Sequence, residues 1–597
     1  MVSALSACGG GSDSGPSVAP AGLQPSFPGP IGATNPSAVP SPPVSHQPAP
    51  APAPAPAPAS DAATYQVASI EFAQSLLFPA GDSGLVLVAA REVMVKINVT
   101  SEKGSAAKPQ GVLLVQDASA NVLDTIPLVP PSGPIMTQAG ADPSFADSYT
   151  AIVPAEYVAI GLQIKPKFDL PIDGVTTISP RVGGGKILRH VSVPIQIDQT
   201  VLMPPNDTAS QLKLVMPVAD FEQIDHPIYK STKVTTLPSN DSEWDSAFST
   251  LLNEINQLRT IEGGKNSDYY YGWIPKRGFG LVGLGFVPGR AAVGSVNANS
   301  GFTIRTMQHE IGHNLSLRHA PCGGATGTDP NYPYANGRLG SGVRFIWGYN
   351  SISKIFIDPR TSAQHDIMGY CDGAWFSDYS FRKMQAYLTP ADVTSVGADR
   401  EAGLVNVVTK PQAMTLLSGS IKGGRAAIDP VQSFEGLASA TYRGAYLMRV
   451  TDANGKILEY PFDVSPLDHQ AGNSLFALSI PEQDSIASLE ILLNGNSIGR
   501  YEAPPSLIPE KLSFGPLAMS NDELSVRELN GRLHVVWDRK PYPFLTVTHV
   551  GKSRTVLALS AKSGVVDVSL AGIDDGGTFE FSLSDGFRTR RLTRVRN

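Results

Sequence analysis

Glycine and proline interrupt this chain at 57 and 50 of its 597 positions, which favours many turns and short strands over long helices. The hydrophobic share of 42% matches ordinary globular proteins, so the chain is not disordered throughout. Its length fits about three to five domains. A net charge of −7 with no block of Lys or Arg argues against a nucleic-acid partner. No run of about 18 apolar residues is present, which excludes a transmembrane helix. Three cysteines are too few for a disulfide scaffold.

The composition shifts along the chain. Residues 1–63 are rich in Pro and Ala, with an Ala-Pro alternation from Pro48 to Pro58, and read as a semi-rigid spacer. Leu5-Ser-Ala-Cys8 resembles the lipobox of bacterial lipoproteins, which implies acylation of Cys8; only seven residues precede it, so the segment is expected to be a signal remnant. Residues 64–205 carry short β-branched runs, such as Val93-Met-Val-Lys-Ile-Asn-Val-Thr100, and predict an N-terminal β-sandwich. Residues 206–398 add helical signals. Trp244, Phe248, Leu251, Leu252, Ile255 and Leu258 mark an amphipathic helix after the cap-like Ser239-Asn240-Asp241. Ser377 reads as the N-cap of a closing helix, and Gly280–Val287 as a strand. The segments 399–503 and 504–597 return to short strands, with a break at Ala503-Pro504-Pro505.

The chemistry concentrates in Thr306-Met-Gln-His309-Glu310-Ile-Gly-His313-Asn-Leu-Ser316-Leu-Arg-His319, which holds three of the ten histidines. On a helix over 303–315, His309 and His313 stand one turn apart on one face and can take adjacent corners of a zinc tetrahedron. Ile304, Met307, Ile311 and Leu315 form a separate apolar face that seats the helix. Glu310 is then free to act beside the metal. The helix must end before His319 for that residue to return as a third ligand, leaving one corner open. Chance produces His-Glu-x-x-His about once in a hundred such chains. A zinc closed by a fourth protein ligand is the alternative.

This stretch resembles the metzincin zinc-peptidase signature H-E-x-x-H-x-x-G-x-x-H. His365-Asp366-Ile367-Met368-Gly369-Tyr370-Cys371 resembles the methionine turn of that group, with Met368 as the structural methionine. The resemblance implies that Tyr370 binds zinc or stabilises the transition state. The family glycine falls on Ser316, which implies a strained serine in the left-handed conformation, or a bend shared with Asn314. Ile70–Ser75 and Leu87–Lys96 resemble the segment preceding the catalytic domain in large secreted bacterial metzincins of the mucin-degrading, ToxR-regulated-lipoprotein type. The implied fold is multidomain: a metzincin-like α+β catalytic domain flanked by all-β, Ig-like sandwiches.

The implied function is zinc-dependent endopeptidase hydrolysis of extracellular proteins or glycoproteins. One Zn2+ would be held by His309, His313 and His319, with Glu310 as general base and Tyr370 assisting. Gly280–Val287 is the candidate edge for an extended substrate; an ordinary sheet strand is the alternative. Cys322 and Cys371 flank the site, and a disulfide between them fits an extracytoplasmic enzyme; free thiols or a thiolate ligand are the alternatives. His365 and Asp366 are candidates for supporting the ligands, a capping or surface role being the rival. The remaining histidines, His469 among them, read as surface or core. The expected partners are a protein or glycoprotein substrate, no nucleic acid, and a membrane only through the N-terminal lipid anchor. The expected state is a monomer, located outside the cytoplasm at the outer membrane or cell surface, or secreted. The competing reading is a surface lipoprotein that binds glycans or host proteins around a vestigial metal site.

Overall fold

The computed structural model describes residues 64–276, 280–373, 375–389, 411–436, 444–470, 472–483, 485–505, 517–518 and 524–596. Cys8, the proline-rich segment and the expected boundary near 398 lie outside them. The molecule is mostly β-sheet with few helices, arranged in several units with sandwich-like sheets. Among the described residues, no helix is long and apolar enough to cross a membrane.

The first unit follows from β-branched alternation. Tyr65–Ala73 pairs antiparallel with Val93–Ser101, which pairs with Tyr149–Val153. A three-stranded sheet of Val122–Pro127, Gly111–Gln116 and Gln163–Phe168 closes over the same core, where Phe72, Val95, Leu113 and Ile164 are buried. Trp347–Asn350 and Ile355–Ile357, from the middle of the expected catalytic segment, extend this sheet through Leu76–Pro79. Arg91 fastens the unit to its neighbour. Its guanidinium is buried and donates to the Met216 carbonyl at 2.6 Å and to Ser75 Oγ at 2.8 Å. Burial lowers its pKa to about 10, which still leaves it charged at neutral pH.

The second unit is built on a sheet in the order Asp220–Asp225, Ile187–Gln196, Asp268–Ile274, Ala291–Ser295, Gly283–Gly285. All neighbours run parallel except the last pair. All seven residues of Asp268–Ile274 are buried, as befits a parallel strand covered on both faces. Ile187–Gln196 comes from the segment assigned by sequence to the sandwich, so a boundary at 205 would cut this sheet. A β-rich run carries no mark of which sheet it joins; the helical crossover decides that. Four helices accompany the sheet: α1 (Thr208–Val215), α2 (Asp241–Ile261), α3 (Ser300–Asn314) and α4 (Asp378–Leu388). Asn240, Asn299 and Ser377 cap α2, α3 and α4, each accepting a backbone N–H from its first turn. The expected strand over 280–287 shortens to Gly283–Gly285 at the sheet edge.

Two further β units follow, one core holding Met448, Phe476 and Leu489, the other Leu533, Val547 and Phe581. Both pack on α2. Phe248, Leu251 and Leu252 share a core with Met414, Leu416, Leu475, Val556 and Leu559. The Asp429 carboxylate, from the first of these units, accepts from Lys233 Nζ, Asn253 Nδ2 and Gln257 Nε2 at 2.7–2.9 Å. This docking brings a loop of the β unit, residues 466–470, against the end of α3.

Candidate metal centre

α3 carries the centre because its sequence fixes both faces. Met307, Ile311 and Leu315 are fully buried on the seating side, and Ile304 is partly buried against the same core. The helix stops at Asn314, and Ser316 adopts φ +76°. The Leu317 N–H reaches the Gly312 carbonyl and the Ser316 N–H reaches that of His313, a Schellman close normally made with glycine. Serine there costs about 1 kcal/mol. The turn sends the chain back, so that His319 lies beside His309 and His313.

Each ring is oriented by a carbonyl. The Nδ1 atoms of His309, His313 and His319 lie 2.8, 2.8 and 2.5 Å from the carbonyl oxygens of Ile367, Leu317 and Thr326. A carbonyl only accepts, so each Nδ1 carries the proton and each Nε2 presents a lone pair. Those lone pairs converge: His313 Nε2 is 3.1 Å from both His309 Nε2 and His319 Nε2. Three acceptors facing one another without a proton repel, and a cation among them removes the conflict. Burial, reinforced by His313 and neighbouring imidazoles, holds His309 well below its usual pKa and His319 down to about 3, so both are neutral as ligands must be. The donor set fits a divalent metal ion.

Glu310 lies beneath the sheet edge. A Cβ on Gly283 would come within 2.1 Å of Glu310 Oε1, so only glycine leaves room for this carboxylate. Glu310 Oε2 is buried without a hydrogen-bond partner. Burial and the charge of Asp468 push the Glu310 pKa well above the carboxylate range. Glu310 and His309 line a cleft of about 950 Å³ with Gly280–Gly283, Tyr370 and the side of α2 around Asp245.

The second wall comes from residues 365–371. Asp366 is buried and its carboxylate accepts the N–H groups of Met368 and Ser377 and the hydroxyl of Ser380, at 2.7–2.9 Å. It therefore fixes the turn that presents the Ile367 carbonyl to His309. Met368 is fully buried against Gly312, where a Cβ would meet its sulfur at 2.7 Å. Tyr370 Oη lies 3.1 Å from His319 Nε2. Cys322 and Cys371 form a disulfide between the two walls. His365 pairs through its backbone with Arg338, and its Nδ1 has no hydrogen-bond partner.

Two residues outside the site expected from sequence also reach the centre. Asp468 Oδ2 lies 3.1 Å from His313 Nε2 and 3.8 Å from His319 Nε2. His469, read by sequence as surface or core, stacks on Tyr370 with ring centroids 5.4 Å apart. No motif marks them, because they arrive from a different unit about 150 residues further along. Burial works against the charge on each, but their mutual attraction holds Asp468 well below its usual pKa and raises that of His469.

The geometry defines a class of site: three imidazoles poised for one metal ion, with a buried carboxylate beside them in a cleft. Residues 276–403 match the family model described as Peptidase M66, a metallopeptidase family. The chain is 26% identical over 346 residues to a dictomallein-like protein of Hahella chejuensis, covering 50% of each. It is 26% identical over 407 residues to dictomallein of Burkholderia mallei strain SAVP1 and of Burkholderia pseudomallei strain 668, covering 55% of this chain and 56% of theirs. The chain thus spans about half the length of the curated relatives it matches. These matches support a peptidase family. Among solved structures, a two-domain fibronectin type III segment of chicken tenascin overlaps 31% of this chain and 96% of its own, at 11% identity and a TM-score of 0.12. A β-glycosidase from Bacteroides vulgatus overlaps 89% of this chain and 79% of its own, at 8% identity and a TM-score of 0.14. Scores that low carry no argument.

Proposed function

We propose that the chain is a zinc-dependent endopeptidase of metzincin type that acts on extracellular proteins or glycoproteins. The observation that carries this reading is the convergence of three Nε2 lone pairs beside a buried, unpartnered Glu310 at the wall of a cleft. His309, His313 and His319 would hold the ion, which when bound supplies the Lewis acidity for attack of water on a peptide carbonyl. Glu310 takes a proton from the attacking water and returns it to the leaving amine. The Tyr370 hydroxyl, on the cleft side of His319, donates to the oxygen that gains charge. Gly280–Gly283 offers backbone groups to an extended peptide, and the cleft between it and Tyr370 orients that peptide. The disulfide between the walls suits a protein outside the cytoplasm. An anchor at Cys8, a surface location and a monomeric state belong to the same proposal.

The test compares casein and mucin cleavage by the wild type and by Glu310→Ala, with metal content measured on both. Cleavage by the wild type and a loss of 10²–10⁴-fold in the variant, at equal metal content, is expected. Equal cleavage by both overturns the reading, and retained glycan binding without any cleavage favours a binding lipoprotein.

A further inference from the structure

The loop that delivers Asp468 is held from four sides. Leu467 makes a β-bridge with Phe286, continuing the edge strand Gly283–Gly285. The Gly285 N–H donates to Asp468 Oδ1 at 3.0 Å. Ser249 on α2 donates to Gln470 Oε1 at 2.9 Å. The His469 ring lies on Tyr370. The segment therefore covers one end of the edge, while the cleft stays open along Gly280–Gly283.

The remaining carboxylate oxygen is aimed at the imidazoles. Asp468 has a side-chain exposure of 2%, and its Oδ2 accepts no hydrogen bond of good geometry although His469 Nε2 is 2.8 Å away. It faces the Nε2 atoms of His313 and His319 and a second buried acidic group, Glu310, with ligand atoms of Glu310, His313 and Asp468 all within 4.8 Å of one another. Two acidic groups buried this close are both ionised only where a cation lies between them.

We propose that Asp468 is a fourth protein ligand of the ion, and that residues 466–470 form a plug that closes the centre until they are withdrawn. This rests on the reading of the centre as a hydrolytic metal site. The plug occupies both things a substrate needs: part of the sheet edge, and the coordination position through which water or a carbonyl is activated. Its withdrawal takes Leu467 out of the core shared with α2, where Met414, Leu416 and Leu475 remain to hold the β unit.

The experiment uses the full chain loaded with Co2+, as wild type, Asp468→Ala and Asp468→Asn. Asp468→Asn keeps an acceptor for the Gly285 N–H and so controls for folding. Metal affinity is measured by chelator competition, and access to the ion by acetohydroxamate titration of the visible Co2+ spectrum. Loss of the ligand is expected to weaken metal binding at least tenfold and to tighten acetohydroxamate binding at least tenfold in Asp468→Ala, with Asp468→Asn in between. Unchanged metal affinity overturns the ligand assignment, and unchanged acetohydroxamate affinity overturns the plug. Casein cleavage on the same samples separates the two readings. If both affinities move as expected but no form cleaves, the plug stands and the peptidase reading fails. If the affinities do not move and the wild type cleaves, the reverse holds.

Discussion

The disulfide between Cys322 and Cys371 gives the strongest stability prediction. It joins the loop after His319, whose Thr326 carbonyl orients that ring, to the wall carrying Tyr370. Cys322→Ser combined with Cys371→Ser removes the link without changing side-chain size appreciably. The bridge spans 49 residues of sequence. Loop-closure entropy for that length, at 1.5R ln n plus a constant of about 2.1 cal/mol/K, corresponds to about 4 kcal/mol at 25 °C. With a urea slope of about 3 kcal/mol per molar, the unfolding midpoint of this unit drops by about 1 M. The assay is urea unfolding followed by tryptophan fluorescence, since Trp273 lies on the site sheet and Trp375 in the core shared with α3. Both proteins are stripped of metal first, because a bound ion adds its own stabilisation. Reduction of the wild type must reproduce the shift. A double variant within about 1 kcal/mol of the oxidised wild type would refute the reasoning, because the bridge would then restrain little that the rest of the fold does not.

Three more outcomes follow from particular contacts. Gly283→Ala places a methyl on Glu310 Oε1 and should displace the carboxylate rather than the strand, so cleavage falls by at least 10²-fold while metal affinity holds; full activity sinks this placement. Gly312→Ala gains about 1 kcal/mol of helix propensity but crowds the Met368 sulfur, for a net loss of about 1 kcal/mol; in a double-mutant cycle with Met368→Ala the two changes should couple by about 1 kcal/mol, and strict additivity would refute the contact. His190 is buried between Tyr271 and Trp273, and burial lowers its pKa to about 3. The unfolded chain therefore takes up its proton below about pH 6.5 while the folded chain does not, and stability falls as pH drops from there toward 3. Metal-free wild type should lose about 2 kcal/mol more than His190→Leu between pH 6 and pH 4, read as the difference in urea midpoints; parallel pH profiles refute it.

The parts legible in the sequence are those settled within a few residues. The spacing of His309 and His313, the apolar face of Met307, Ile311 and Leu315, and the capping of α2 and α4 by Asn240 and Ser377 are all properties of one helix, and periodicity encodes them. The return of His319 was readable too, because Ser316 takes the left-handed conformation that the turn demands even without glycine. The strand Ile187–Gln196 shows where that legibility stops. Its residues announce a strand, but only packing of the crossover helices sets it at the centre of the site sheet rather than in the sandwich.

On its own, then, the sequence determined a helix bearing two imidazoles and a carboxylate, a turn returning a third, and two cysteines on opposite walls. The tertiary structure decided what else meets them. Burial of α2 between the site sheet and the β units carries Asp468 and His469 across about 150 residues of chain to the same nitrogens. No local pattern records such a meeting, because the free energy that enforces it resides in the apolar surface of α2 and its partners and not in the residues that meet.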